Sequence, residues 1–273
     1  MRRFLLAFCL LAQGPAWSAE APPSASPAPE PAAAAPAPVK IHPKNETGPA
    51  ENRALLEPDT DLIDAPTSAV LDYGGYSTLT RFFSSGGLLE RATFGVFNRL
   101  NIGAALDIDR MIGNLKPTRV RAPNVEVKYR FFDGDRLIPS LAAGFDGQGY
   151  NYSEFTHRYN HRQRGFYVVA TQEVGIPGLL VHPSFNISDF GTNSIFGAIP
   201  VSYNIRDRVN LMLEWDNIAN WADSRLNAGA RFYITGGLHV DFAVRGLAQG
   251  GSFSDGSPRG PERVVQIKYS ANF

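Results

Sequence analysis

From about residue 70 onward, apolar and polar positions alternate in short runs separated by turn residues. In the last run Val265, Ile267, Tyr269, Ala271 and Phe273 fall on one face. Val264, Gln266, Lys268, Ser270 and Asn272 fall on the other. Side chains of a strand point to alternate faces, so this period predicts a strand with one apolar and one mostly polar face. The same pattern recurs upstream. Val125, Val127, Tyr129 and Phe131 oppose Glu126, Lys128 and Arg130, and Val209, Leu211, Leu213 and Trp215 oppose Asn210, Met212, Glu214 and Asp216. Leu226, Ala228, Ala230 and Phe232 oppose Asn227 and Arg231, and Leu238, Val240, Phe242 and Val244 oppose His239, Asp241 and Arg245. Twelve strands are predicted, at 70–83, 88–98, 101–111, 119–132, 137–145, 164–174, 178–188, 194–204, 208–217, 225–234, 238–247 and 262–273.

The connections carry a second pattern. Joins after even-numbered strands are short, as at 98–101, 133–136, 175–178, 204–208 and 235–237. Most joins after odd-numbered strands are longer, as at 112–117, 146–163, 188–193, 217–224 and 248–261; 84–87 is the exception. Short turns at one end and long loops at the other, with about ten residues per strand, are the signature of an outer-membrane barrel. No apolar run reaches the roughly 20 residues that a spanning helix needs. In lipid only helices and closed barrels satisfy every backbone hydrogen bond. The predicted fold class is therefore all-β, a transmembrane antiparallel up-and-down β-barrel of about 12 strands. A soluble sandwich would also show short alternating strands, and the two chain ends decide against it.

At the N-terminus, Arg2 and Arg3 precede the apolar run Phe4–Leu11, and Ala16-Trp17-Ser18 offers small residues for cleavage after Ser18. This reads as a signal peptide over 1–18. Residues 19–66 follow, dominated by Ala, Pro, Ser and Glu, with nine prolines between Pro22 and Pro49. Such a segment buries too little apolar surface to offset its chain entropy, which predicts a disordered periplasmic spacer. The barrel is expected over 67–273. At the other end, Val265, Ile267, Tyr269 and Phe273 resemble the C-terminal assembly signal of bacterial outer-membrane barrels.

A family resemblance rests on a longer succession of residues. Leu71-Asp72-Tyr73-Gly74-Gly75-Tyr76 leads into Arg81-Phe82-Phe83-Ser84-Ser85-Gly86-Gly87 and Phe94-Gly95-Val96-Phe97-Asn98-Arg99-Leu100-Asn101-Ile102-Gly103. Pro123-Asn124-Val125-Glu126-Val127-Lys128-Tyr129-Arg130, Ala143-Gly144-Phe145-Asp146, Gly165-Phe166-Tyr167-Val168-Val169-Ala170 and Leu213-Glu214-Trp215-Asp216 follow. Over residues 70–245 the chain resembles uncharacterised bacterial outer-membrane barrels similar to the YjbH-like family. That resemblance implies the barrel fold and a link to exopolysaccharide production.

Composition narrows the chemistry. The 26 basic and 26 acidic residues cancel, so no bulk field recruits nucleic acid. Cys9, the only cysteine, lies in the signal, so no thiol chemistry and no cofactor is expected in the mature chain. With apolar faces toward lipid, the candidates for lining the lumen are Asp107, Asp109, Glu126, Lys128, Arg130, Glu214, Asp216, Arg231, His239, Asp241, Arg245 and Lys268. Rings of charge set the ion preference of a pore, whereas mutual pairing would plug it. Glu126 and Arg130 are too far apart along one strand to pair with certainty, and cross-strand partners matter more.

An enzyme alternative uses His182 and Ser184, spaced as in outer-membrane phospholipase A, with Asn186 on the same face. Pro183 and Phe185 interrupt that motif, and the trio should face the lumen rather than lipid. His157 and His161 read as part of an exposed polar loop rather than as a metal site. The expected function is non-enzymatic: a small polar-solute pore, or an envelope component supporting polysaccharide export. Expected partners are outer-membrane lipid and lipopolysaccharide, the barrel-assembly machinery, and peptidoglycan or polysaccharide-export components.

Overall fold

A computed structural model describes residues 56–114, 117–135, 137–161, 163–188, 195–219, 224–253 and 256–273. The predicted signal peptide and spacer residues 19–55 lie outside the described residues. Twelve strands form the wall: β1 (Gly75–Phe83), β2 (Gly87–Phe97), β3 (Leu100–Asp109), β4 (Asn124–Phe132), β5 (Ser140–Asp146) and β6 (Gly165–Glu173). β7 comprises Leu179–Val181 and Ser184–Ile187; then come β8 (Ile195–Ile205), β9 (Val209–Asp216), β10 (Arg225–Tyr233), β11 (Leu238–Arg245) and β12 (Glu262–Asn272). β7 is one strand in two pieces. Both pair with β6 and β8, and Pro183, which has no N–H to donate, interrupts the ladder.

Each strand pairs antiparallel with the next, and β12 pairs with β1, placing Gly75 opposite Asn272. The ladder is closed, so no edge strand is left unpaired. The predicted strand positions agree to within a few residues except at the first, which begins at Gly75 rather than at 70. Two sections lie outside the wall. Arg119–Val120 extends the pairing of β3, and Tyr150–Ser153 pairs with Arg158–His161 as a hairpin in the long join after β5.

The outward face is apolar. Leu213 is 49% exposed and Phe242 54%, and Val125, Tyr129, Phe166, Val168 and Ile267 are exposed on the same surface. Large apolar side chains so uncovered in a folded wall suit a hydrocarbon surrounding, not water. Their strand neighbours on the other face are buried, including Asn210, Glu214, Arg231, Asp241, Gln266 and Lys268.

One sequence expectation is corrected here. Residues 56–66, placed in the disordered spacer, enter the barrel, and the chain turns and runs back to β1. Leu62 and Ile63 are 1% and 0% exposed. The turn is closed by Leu62 N–H donating to Ala65 O (2.9 Å) and Thr67 N–H donating to Thr60 O (3.2 Å). Composition alone hid this segment, because two aliphatic residues among acidic and small ones resemble spacer until the wall that receives them is known. Gly95 lets the returning arm pass close to β2: a Cβ there would lie 2.0 Å from Asp72 O.

Candidate functional site in the barrel lumen

The hairpin of residues 56–74 fills the lumen, and wall side chains hold it. At its tip the Glu214 carboxylate accepts hydrogen bonds from the backbone N–H groups of Ile63 (2.8 Å), Asp64 (3.0 Å) and Ala65 (2.9 Å). Asn227 donates to the other oxygen of Glu214 at 3.0 Å. A buried carboxylate with four donors is a charge-assisted latch. Leu62 and Ile63 join a cluster with inward Leu79, Phe83, Leu89, Ala105, Tyr150, Met212, Ala243 and Val264. The lumen therefore has an apolar belt as well as charge. Burying each of those two hairpin side chains contributes about 1.5–3 kcal/mol.

Three hairpin aspartates meet wall cations. Arg81 pairs with Asp64 at 2.8 Å, and Arg245 approaches the same carboxylate at 3.3 Å. Lys268 pairs with Asp61 at 2.7 Å and donates to Thr60 Oγ1 at 2.6 Å. Arg231 reaches Asp59 at 2.6 Å while its other guanidinium nitrogens hold Asp241 at 2.9 and 2.8 Å. Lys128 Nζ donates to Thr60 O at 2.5 Å. Burial alone would raise the Asp61 and Asp64 carboxyls. Lys268 and Arg231 around Asp61, and Arg245 and Arg81 around Asp64, outweigh it and hold both well below the usual carboxylate range.

The long-loop end has its own stopper. The Tyr150–His161 hairpin places the Tyr150 ring between the guanidinium groups of Arg81 and Arg245, 4.6 and 4.4 Å from its centroid. This corrects the reading of 146–163 as a plain exposed loop. His157 is exposed, but His161 is buried against Phe253 and Arg225. Burial, then Arg245 and Arg225, push the His161 pKa down to about 3, so the ring is neutral at pH 7. Among the described residues no group of three metal-ligating side chains forms.

The remaining candidates take the following places. Asp107 is buried, and neither carboxylate oxygen has a hydrogen-bond partner among the described residues. Asp109 pairs with Arg121 at 2.7 Å. Glu126 pairs across strands with Arg91 at 2.8 Å, and Arg130 with Asp133 at 3.0 Å. Asp216 pairs with Arg225. His239 is buried, edge-on to Tyr233. At the C-terminus Phe273 is 92% exposed and stacks on Tyr76 at 4.8 Å. Ile267 and Tyr269 are exposed on the outer face that Val265 also shares.

The His182–Ser184 relay is not assembled. His182 Nδ1 lies 3.0 Å from Thr171 Oγ1 and Nε2 lies 3.1 Å from Ser202 Oγ. Among the described residues the buried Ser184 hydroxyl has no hydrogen-bond partner. A nucleophile needs its base within hydrogen-bond reach, so this pair does not carry the hydrolase alternative.

What remains open is small. A cavity of about 50 Å³ lies between hairpin and wall, lined by Asp61, Asp64, Arg91, Lys128, Tyr150 and Lys268 among others. It has room for only a few water molecules. Beyond the Tyr150 stopper a wider mouth of about 670 Å³ is lined by Asp109, Arg119, Arg121, Tyr152, Glu154 and Phe253 among others. Sequence reading missed the hairpin, yet two signals pointed to it. Leu79, Leu89, Met212 and Val264 place apolar groups on the polar face, and Asp59-Thr60-Asp61-Leu62-Ile63-Asp64 sets charge beside a short apolar pair.

No family model and no curated protein matches the chain. Among solved structures, an outer-membrane channel from Pseudomonas putida F1 is similar over 77% of this chain and 100% of its own, with 10% identity and TM-score 0.43. The NanC porin is similar over 72% and 99%, with 11% identity and TM-score 0.40. The Acinetobacter baumannii outer-membrane protein Omp33 is similar over 74% and 99%, with 11% identity and TM-score 0.35. The chain's own closed twelve-strand ladder and apolar exterior define it as a transmembrane-type β-barrel.

Proposed function

We propose that the protein is an outer-membrane channel for small polar solutes, held shut by its own hairpin, with no catalytic role. One observation carries this reading. Between Pro58 and Leu71, every hydrogen bond described from hairpin to wall involves a side chain outside the hairpin; backbone bonds to the wall occur only at the two ends, where Glu57 N–H donates to Gly236 O and Gly74 N–H to Gly95 O. The hairpin can therefore leave without breaking the closed sheet, uncovering a wall lined with charge. In this reading lipid and lipopolysaccharide surround the wall, and residues 19–55 lie in the periplasm within reach of peptidoglycan.

Glu214→Ala tests the channel. It removes the acceptor of three hairpin N–H groups, at about 1–3 kcal/mol for each donor left unsatisfied. Each 1.4 kcal/mol shifts an equilibrium about tenfold, so mean conductance in planar bilayers should rise at least about tenfold over the unaltered chain. A variant that folds, shown by heat-modifiable migration on gels, but conducts no ions would remove the channel reading.

A second reading, support of polysaccharide export, draws on the mouth. Arg121 lies over the Tyr152 ring at 4.3 Å and bonds Asp109 and Glu154, a mixture of aromatic face and hydrogen-bonding groups suited to sugars. The terminal strand supplies a separate expectation. Its outward Val265, Ile267, Tyr269 and Phe273 serve as the assembly signal, so deleting Phe273 should lower the amount inserted in the outer membrane without reducing export. Unchanged outer-membrane levels would contradict that role.

A further inference from the structure

We propose that the vacated lumen binds and passes small anionic solutes bearing carboxylate or phosphate groups, and that Asp59, Asp61 and Asp64 occupy this site as a built-in substitute. The inference rests on the channel reading above and adds the charge of what passes.

The lumen cations differ in how far they depend on the hairpin. Arg231 keeps Asp241 on the wall whether or not the hairpin is present, and Arg245 keeps Glu262. Arg81 and Lys268 differ. Among the described residues their ion pairs are with Asp64 and Asp61 alone, both on the hairpin. Lys128 forms no ion pair among the described residues; its ammonium donates to the hairpin carbonyls of Thr60 and Ala69, at 2.5 and 3.4 Å. These three cations come from β1, β12 and β4 and border the same cavity. Arg81 and Lys268 are 2% exposed.

Withdrawal of the hairpin would thus leave Arg81, Lys128 and Lys268 without an ion pair in a narrow space, since the nearby wall carboxylates Glu126 and Asp146 are paired with Arg91. Removing one partner of a buried pair leaves an uncompensated charge, and that is costly. An entering anion relieves the cost and an entering cation adds to it. The guanidinium of Arg81 and the two ammonium groups are the donors suited to carboxylate and phosphate oxygens. The hairpin carboxylates show where such oxygens sit. The three freed cations outnumber the one wall carboxylate that the hairpin also frees, Glu214, and this excess of positive charge then sets the ion preference of the open channel.

The test uses the full chain in planar bilayers separating unequal KCl solutions. The unaltered chain supplies a readout that depends on no substitution: its spontaneous openings should reverse on the chloride side. Asp59→Asn/Asp61→Asn/Asp64→Asn together should open more often, with chloride preferred over potassium by about threefold or more. Citrate added to the variant should then reduce the chloride current. Openings of either protein that favour potassium, or that show no preference, would overturn the anion site while leaving the channel reading standing. A folded variant with no conductance at all would remove both. Openings that are equally frequent and equally anion-preferring in both proteins would retain the anion site but refute the hairpin as its occupant.

Discussion

Replacing Arg231 by alanine should cost the folded barrel about 3–5 kcal/mol, the range for breaking a buried ion pair from one side. Arg231 is fully buried and bridges the wall to the hairpin, holding Asp241 through two hydrogen bonds and Asp59 through a third nitrogen. Asp59 would keep the Tyr233 hydroxyl and the Asn210 amide. Among the described residues Asp241 would keep only the Gln266 amide, at 3.2 Å. The penalty therefore falls mainly on Asp241. Denaturant midpoints of the chain refolded in micelles measure it. Arg231→Met with Asp241→Leu should recover much of the loss, because a buried pair replaced by apolar side chains is often neutral. A loss below about 1 kcal/mol for the alanine variant would mean that this network does not hold the interior together.

Leu213→Arg should cost about 2–4 kcal/mol, the penalty for arginine on a lipid face near the bilayer midplane. Leu213 lies midway along β9, 49% exposed on the outer face, and its neighbour Glu214 points inward to the hairpin. Water tolerates an exposed arginine, so the cost arises only if hydrocarbon surrounds that face. Ile205→Arg, at the short-turn end of β8, is the matched control, because there the penalty falls to about 0–1 kcal/mol. Equal effects at both positions in bilayer-refolded protein would refute the lipid-facing assignment. The contrast matters because depth, rather than burial alone, separates the two sites.

The wall was legible in the sequence because a period of two residues survives even when boundaries blur. Val209 to Asp216 shows it plainly: four outward apolar side chains alternate with Asn210, Met212, Glu214 and Asp216. Alternation assigned faces but could not assign partners. Glu126 stands four residues from Arg130, yet its ion pair is with Arg91 on β2, a choice made by strand register. The hairpin was illegible for a different reason. Leu62 and Ile63 are too few to mark a core, and Asp59, Asp61 and Asp64 read as solvated charge until Arg81, Arg231, Arg245 and Lys268 are brought around them. Met212 and Val264 on the polar face were the trace that remained, since apolar groups in a water-filled lumen need a cover. His182 and Ser184 show the reverse case. Proximity in sequence suggested a relay, but on a strand the histidine reached across to Thr171 and Ser202 instead.

The central claim is that residues 56–74 sit inside the barrel and close it. Ser68 Oγ and Ser140 Oγ are 2.5 Å apart, one on the hairpin and one on β5, close to the roughly 2.05 Å of an S–S bond. In a chain carrying Cys9→Ser, the pair Ser68→Cys/Ser140→Cys should oxidise in the membrane-inserted protein. It should abolish channel openings, and reductant should restore them. A folded barrel in which the two cysteines do not cross-link, or whose conductance is the same oxidised and reduced, would contradict the account.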